Sequence, residues 1–429
     1  MAENCPHVQV KFFTKQPAYS VPDSPFSVPA NVGTTELSSL INGLLNEEES
    51  EGGVDFDFLI EGEFLRVTLD VYLEQRGVST EDVLDIEYVE RQAAPKPENT
   101  LLHDDWVSCL QANTHYILSG CYDNTARLWS TSGDSLMTIP GHTAPVKCVA
   151  WMKEDDDMSS FVTGSHDQTL LLWVWQRQQN EVDCVCARRG HAGSVDCVAV
   201  NQAQDKFCTG SWDKMLKLWS AGLDRDADIS DDDGAETSSK RKKTTETKVH
   251  SRVPMLTLSG HSEGVSAIVW LNSQEVCTAS WDHTIRIWDL QEAKQTATLQ
   301  GSKVFFDISY SPLSQTLVAA SADRHIRLYD PRSKDGAVVK SSFTSHNGWV
   351  IGVAWSPTNQ YEFVSGSHDS VMKLWDTRSP KGPLYNMEGH EDKILAVDWS
   401  LPELMMSGGA DNHLKIFKYD SKTESMDVS

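Results

Sequence analysis

Histidine, aspartate and tryptophan recur along this chain in one order and at one spacing, and such trios can either do acid–base chemistry or staple a fold. The aspartates are Asp123, Asp167, Asp213, Asp282, Asp323, Asp369 and Asp411, and the sixth residue after each is aromatic: Trp129, Trp173, Trp219, Trp288, Tyr329, Trp375 and Phe417. Upstream stand His142, His191, His261, His346 and His390, each 21 to 25 residues before its aspartate. An imidazole beside a carboxylate is a common general base. An active site needs one such pair, however, and a constellation repeated five times points to scaffolding. The chain also lacks a Gly-rich phosphate loop with its lysine, a nucleophile elbow and a His-x-x-x-His metal pair. No enzyme is expected.

The elements around these residues are short strands. The third and fifth residues after each aspartate are apolar, as in Leu216 and Leu218, Ile285 and Ile287, Leu414 and Ile416, which is the period-two pattern of a strand with one buried face. An aspartate in a tight Gly/Ser-rich turn before such a strand marks a hairpin. Successive aspartates are 44, 46, 69, 41, 46 and 42 residues apart, so each unit is one supersecondary element that must stack on its neighbours. Seven small antiparallel sheets set radially leave few open edges. The prediction is a mainly β chain with a seven-bladed propeller over 101–420.

Gly-His pairs complete the signature at Gly141-His142, Gly190-His191, Gly260-His261 and Gly389-His390, with Ser345-His346 as a variant. Units such as SGSHDSVMKLWD (365–376) and TASWDHTIRIWD (278–289) resemble WD40 repeats. The unit at 301–330 has Gly301-Ser302 instead, and the first unit offers only His103, without a preceding glycine. The resemblance implies that His142, Asp167, Trp173 and their counterparts hydrogen-bond within their own blades, giving buried polar groups their partners. It also implies that residues just before the first blade supply the outer strand of the last, since the C-terminal KYDSKTESMDVS is too polar to do so. The residues preceding the turn aspartates are Tyr122, His166, Trp212, Trp281, Ala322, His368 and Ala410. In WD40 proteins this position commonly lies on the top face and meets partners. Large aromatics there suit a protein interface, whereas the alternative for Trp212 and Trp281 is sideways packing on neighbouring blades.

With 429 residues, 39% of them hydrophobic and 14 of them tryptophan, the chain has room for two or three domains and a sizeable core. It contains no run of 18 apolar residues, and MAENCPHVQVKFF lacks the basic-then-apolar order of a secretory signal. Nine cysteines without a framework of spacings fit free thiols in a reducing compartment, and Cys184-Val-Cys186 lacks the further ligands a zinc site needs. No cofactor is expected. The net charge of −25, from 37 basic and 62 acidic residues, argues against a nucleic-acid-coating surface and for a protein as main partner. Any contact with RNA is expected to be indirect.

Residues 1–91 carry no repeat and read as a separate β-grasp, ubiquitin-like domain. A strand at 7–13 and an extended piece at 19–33 precede a helix from Thr34 or Thr35 to about Asn46, striped by Leu37, Leu40, Ile41, Leu44 and Leu45. Two strands flank Glu61-Gly62, a short helix ends at Gly77, and a strand at 83–90 closes the domain. A linker follows at 92–100. The 69-residue interval marks an insertion at 221–253, expected to be disordered because 224–252 has no apolar periodicity. Within it, Lys240, Arg241, Lys242 and Lys243 read as a nuclear-import cluster, against the plain alternative of a solvated loop. Ser230, before Asp231, Asp232 and Asp233, sits in a context for acidophilic kinases. Residues 421–429 form a polar tail.

A ubiquitin-like module followed by a seven-bladed WD40 propeller resembles a nucleolar family that includes the notchless-type proteins and the WD-repeat partner of pescadillo and the block-of-proliferation protein. GEFLRVTLDVYLEQRGVSTEDVLDIEYVERQ and the acidic-to-basic insertion look most like the latter. The resemblance implies a non-enzymatic assembly factor of the large (60S) ribosomal subunit, acting in maturation of 28S/5.8S-type pre-rRNA in the nucleolus and nucleoplasm. It implies pescadillo and the block-of-proliferation protein as partners, and engagement by the ATPase midasin. There, a carboxylate of this chain would complete the shell of midasin's Mg²⁺, which prefers hard oxygen ligands. Glu81 in GVSTEDV matches that position, with Asp82 beside it. Other readings are a ubiquitin-ligase substrate receptor, which would usually carry an F-box or a helical adaptor-binding element, and a Notch-like signalling adaptor.

Overall fold

The computed structural model describes residues 6–45, 53–77, 79, 83–155, 157–222, 250–332 and 339–420. Two compact units emerge, one built around the segment up to Pro95 and the other beginning at Lys96.

In the N-terminal unit β1 (His7–Phe13), β2 (Phe26–Pro29), α1 (Thr34–Leu45), β3 (Phe56–Ile60), β4 (Glu63–Phe64), α2 (Leu69–Arg76) and β5 (Val83–Glu90) follow in that order. The sheet runs β2-β1-β5-β3-β4, with β1 and β5 parallel and the other pairs antiparallel. That is the β-grasp order, so the last strand in sequence is central in space. Alternation places Val8, Val10, Phe12, Phe56, Phe58, Ile60, Ile86 and Tyr88 in one core with Leu37 and Ile41 of α1. Glu61 (φ 51°) and Gly62 (φ 73°) are both left-handed, as a two-residue hairpin matching strand twist requires. Gly77 (φ 65°) ends α2.

The expected linker proves shorter than 92–100. Strand β6 (Lys96–Leu102) already begins within it and pairs antiparallel with His413–Lys418. The residues before the first blade thus form the outer strand of the last, which joins the two ends of the propeller by hydrogen bonds.

Seven sheets make the propeller, numbered here as blades 1 to 7 in chain order. Their innermost strands are Val107–Ala112, Val146–Glu154, Val195–Val200, Val265–Trp270, Phe305–Ser311, Val350–Trp355 and Ile394–Leu401. Each touches the next, and the seventh touches the first. The apolar core lies between blades: Leu216 and Leu218 of blade 3 share a cluster with Val265, Ile268, Val276 and Trp288 of blade 4.

The insertion expected to be disordered over 221–253 contains regular structure at its C-terminal end. His250–Arg252 form a strand parallel to Glu181–Arg189 and give blade 2 a fifth strand, and Leu256–Leu258 then join blade 3. Backbone groups at the two blade edges find partners this way, a gain that side-chain periodicity does not report. The eight described cysteines form no disulfide among themselves, and Cys186 is buried and Cys184 half-buried. No described cluster of His, Cys, Asp and Glu could hold a metal.

Candidate functional site

The repeated trios resolve first, because they form the frame of the candidate surface. Nδ1 of His142, His191, His261, His346 and His390 lies 2.8–2.9 Å from Asp167, Asp213, Asp282, Asp369 and Asp411. Each Nε2 lies 2.8 Å from a hydroxyl, on Thr163, Thr209, Thr278, Ser365 and Ser407. The indole N–H of Trp173, Trp219 and Trp288 donates to the first three of these hydroxyls at 2.8–2.9 Å. A neutral imidazole satisfies the chain: indole N–H to hydroxyl, hydroxyl O–H to Nε2, Nδ1–H to carboxylate.

Every aspartate also accepts the backbone N–H of the residue after its histidine, at 2.8–3.0 Å. In blades 2 to 4 the trio's hydrogen bonds run from indole through hydroxyl and imidazole to carboxylate within one blade, which is a staple repeated along the chain. Burial acts to raise these carboxyls, yet the histidine and amide donors, joined by the Thr284 hydroxyl at Asp282 and the Thr169 hydroxyl at Asp167, outweigh it, holding Asp213 and Asp282 at about 2 and Asp167, Asp369 and Asp411 below the usual carboxylate range.

Blades 1 and 5 depart from this plan. His103 reaches Ser119 at 2.8 Å, as its counterparts do, but Asp123 takes the Arg127 guanidinium at 3.0 Å. Blade 5 has Ser302, Ala319 and Tyr329 in place of histidine, hydroxyl and tryptophan, and Arg327 grips Asp323 through both Nη1 (3.0 Å) and Nη2.

The staple turns hold the candidate surface. In all seven blades the residue before the turn aspartate donates its N–H to the residue just before the innermost strand: Tyr122 to Trp106, His166 to Pro145, Trp212 to Ser194, Trp281 to Gly264, Ala322 to Val304, His368 to Trp349 and Ala410 to Lys393, at 2.8–3.1 Å. Both positions therefore share one rim. On it, ring centroids of Trp212 and Trp281 are 5.1 Å apart, and Trp281–Phe306, Phe306–Trp349 and Trp349–His368 follow at 5.7 Å each. A shorter row joins Trp106 to Tyr122 (5.4 Å) and Tyr122 to His166 (6.3 Å).

Trp106, Trp212, Trp281 and Trp349 are 44%, 46%, 37% and 50% exposed, against 0–5% for the tryptophans of the staples, while Trp212 and Trp281 also pack sideways, each on an aromatic of the next blade. Covering half of a tryptophan's ~200 Å² at ~25 cal/mol/Å² contributes about 2–3 kcal/mol, enough to anchor a protein partner. Tyr122, His166, Trp212, Trp281 and His368 were all expected on this face, and all take part in the two rows. Trp106, Phe306 and Trp349 were missed. Their signal was the residue before, or one after, the first buried residue of each innermost strand, legible only once the cross-hairpin bond is known.

Behind the rim lies an axial cavity of about 320 Å³. The second residue of every innermost strand lines it: Ser108, Lys147, Asp196, Ser266, Phe306, Ile351 and Leu395. Lys147 Nζ donates to Tyr122 Oη at 3.0 Å and stands 5.0 Å from that ring's centroid. Burial acts to lower its ammonium, while Tyr122 and Asp196 more than offset this and hold it above the ordinary lysine range. Asp196 accepts the Trp212 indole N–H and the Ser194 hydroxyl. Asp307, one position deeper, is pushed up to about 7 by burial while accepting the Val353 N–H of blade 6 at 2.9 Å.

The remaining expected residues, Glu81 and Asp82, Ser230, and Lys240, Arg241, Lys242 and Lys243, lie outside the described residues.

Comparison with known proteins adds two family matches. Residues 8–73 match the NLE (NUC135) domain, and seven segments, 95–130, 133–174, 182–220, 252–289, 293–330, 337–376 and 381–418, match the WD domain, G-beta repeat. Over 418 residues the chain is 52% identical to a ribosome biogenesis protein WDR12 homolog of Ixodes scapularis, covering 96% of this chain and 98% of that one. Homologs of the same name from Aedes aegypti and Drosophila virilis are each 48% identical, covering 96% and 98% of this chain and 95% and 98% of their own.

Proposed function

This chain belongs to the WDR12 family of WD40-repeat ribosome biogenesis proteins, and from that premise we propose that it is a non-enzymatic assembly factor of the large ribosomal subunit, working in the nucleolus and nucleoplasm. The observation that carries the reading is the row Trp212–Trp281–Phe306–Trp349–His368, an exposed aromatic surface on a rigid ring. The propeller docks through this face on a protein of the pre-ribosome, with pescadillo and the block-of-proliferation protein as the expected complex. A net charge of −25 makes a protein surface a better occupant than bare RNA.

The N-terminal domain then serves as the handle for removal. Glu81 is offered to midasin, where its carboxylate fills the open position on midasin's Mg²⁺. Lys240, Arg241, Lys242 and Lys243 direct nuclear import, and phosphorylation of Ser230 tunes import or binding through added negative charge.

The test is affinity purification of the tagged protein, with mass spectrometry of bound proteins and sequencing of bound RNA, beside a Trp281→Ala, Trp349→Ala variant. Pescadillo, the block-of-proliferation protein and large-subunit pre-rRNA should be recovered with the parent and lost with the variant. Recovery of cullins without pre-rRNA would overturn the assignment. Glu81→Ala should leave the protein folded and particle-bound but unreleased, and normal dissociation of that variant would end the midasin reading. Unmodified Ser230 in phosphopeptide maps would remove its role, and unchanged nuclear accumulation after neutralising 240–243 would remove the import cluster.

A further inference from the structure

The two aromatic rows are interrupted between His166 on blade 2 and Trp212 on blade 3, and the interruption is occupied by charge. Lys147 and Asp196 are the only ionisable residues at the second position of the innermost strands, and they stand on those same two blades. Each holds an aromatic of the rim by a hydrogen bond: Lys147 donates to the Tyr122 phenol, and Asp196 accepts the Trp212 indole N–H beside the Ser194 hydroxyl. Trp212 is 46% exposed, so packing alone does not fix its ring, and a carboxylate acceptor on the N–H supplies a direction that packing does not. The ring so fixed meets Trp281 at 5.1 Å with a 49° tilt, and the rest of the longer row follows from that end.

We propose that Asp196 and Lys147 are positioning residues for the aromatic face, Asp196 setting the tilt of Trp212 and Lys147 the plane of Tyr122, so that both rows meet a partner already ordered. This rests on the reading that the face docks a protein. Leaving a rotamer-rich side chain to be ordered at binding weakens affinity roughly three- to tenfold, and that is the expected effect of losing either charge.

The full-length protein tests this through Asp196→Ala, Asp196→Asn and Trp212→Phe, alone and combined, and through Lys147→Met in Tyr122 and Tyr122→Phe backgrounds. Near-UV circular dichroism, taken as the difference from the Trp212→Phe variant, isolates the Trp212 band. Affinity for the purified block-of-proliferation protein gives the binding arm. Asp196→Ala should erase the Trp212 band and weaken binding, Asp196→Asn should restore both because its amide oxygen still accepts, and Asp196→Ala should add nothing in the Trp212→Phe background. Lys147→Met should likewise add nothing once the Tyr122 hydroxyl is gone. An unchanged Trp212 band in Asp196→Ala overturns the positioning role, as does an equal loss of binding in the Trp212→Phe background. Should Trp281→Ala, Trp349→Ala bind normally, the docking reading fails, and the circular dichroism arm still decides whether Asp196 orders Trp212.

Discussion

Blades 4 and 5 are neighbours with the same four-stranded meander, and they hold their turn aspartates by different chemistry. In blade 4, Asp282 accepts from His261 Nδ1 (2.8 Å), Ser262 N (3.0 Å), Thr284 N (3.0 Å) and Thr284 Oγ1 (2.6 Å), and the imidazole continues through Thr278 to Trp288. In blade 5, Asp323 accepts from Arg327, from Ser321 Oγ (2.7 Å) and from His325 N (3.3 Å), and among the described residues no imidazole chain lies behind it. Both carboxyls are held at about 2, against burial, by these donors. The turn therefore needs a carboxylate with enough donors, and a histidine is one way to supply them. Blade 5 also leans on blade 6: Asp307 accepts the Val353 N–H at 2.9 Å and Ser309 Oγ the Trp355 N–H at 3.1 Å. Blade 5 thus keeps a clamp within the blade and adds bonds across the seam beside it.

The contrast can be broken most forcefully at the aspartates. Asp282→Ala strands a buried imidazole and two buried donors and should cost about 3 kcal/mol, whereas Asp323→Ala leaves a guanidinium close to water and should cost about 1–2 kcal/mol. Urea unfolding of the two variants measures the difference, and equal losses would erase the distinction between the blades.

Acid should pull the two blades in opposite directions. Burial holds His261 low, so it stays neutral in the fold while the unfolded chain takes up its proton below about 6.5; blade 4 loses stability as pH falls from there. Asp307 is pushed up to about 7, so its contribution is full below the ordinary carboxylate value and is lost as pH rises through 7. Each group can change stability by up to about 1.4 kcal/mol per pH unit. Hydrogen exchange at pH 7 and pH 5, corrected for intrinsic rates, should show protection falling in blade 4 and holding or rising at the blade 5–6 seam.

Arg327→Lys sharpens the comparison further. It keeps the charge but replaces the two-pronged grip with a single ammonium, at an expected cost of about 1 kcal/mol. The corresponding change in blade 4, Arg286→Lys, should be near zero, because Asp282 already has its donors; thermal unfolding separates the two. The rim separates stability from capture. Trp349→Ala should cost about 1–2 kcal/mol of unfolding free energy, since only the half of the side chain packed on Phe306 and His368 is lost from the fold, while its effect on capture of a partner should be larger.

Much of the frame was legible because it repeats. Asp–x₂–apolar–x–apolar–aromatic recurs with a strand's period, and the five histidines keep their distance from the aspartates, so staples at His142, His191, His261, His346 and His390 could be named from one dimension. The departures at Ser302 and His103 were also visible, but their replacements were not. Arg127 and Arg327 sit four residues after their aspartates in an alternating strand, and nothing local says that the guanidinium folds back onto the carboxylate. The rim was half legible for a similar reason. Trp212 and Trp281 adjoin the signature, whereas Trp106 and Trp349 reach the same rim only through a bond across a hairpin.

What the sequence determined by itself was the number of blades, the identity of the staple residues and the β-grasp pattern of the first 91 residues, because period and local turn chemistry are properties of neighbouring residues. What only the tertiary structure decided was which residues from different units meet. His250–Arg252 pair with blade 2 although they precede a strand of blade 3, Lys147 reaches Tyr122 from the next blade, and five aromatics drawn from four blades form one row. Such contacts depend on the closure of the ring, which brings together side chains far apart in the chain, and no spacing along the sequence encodes that distance.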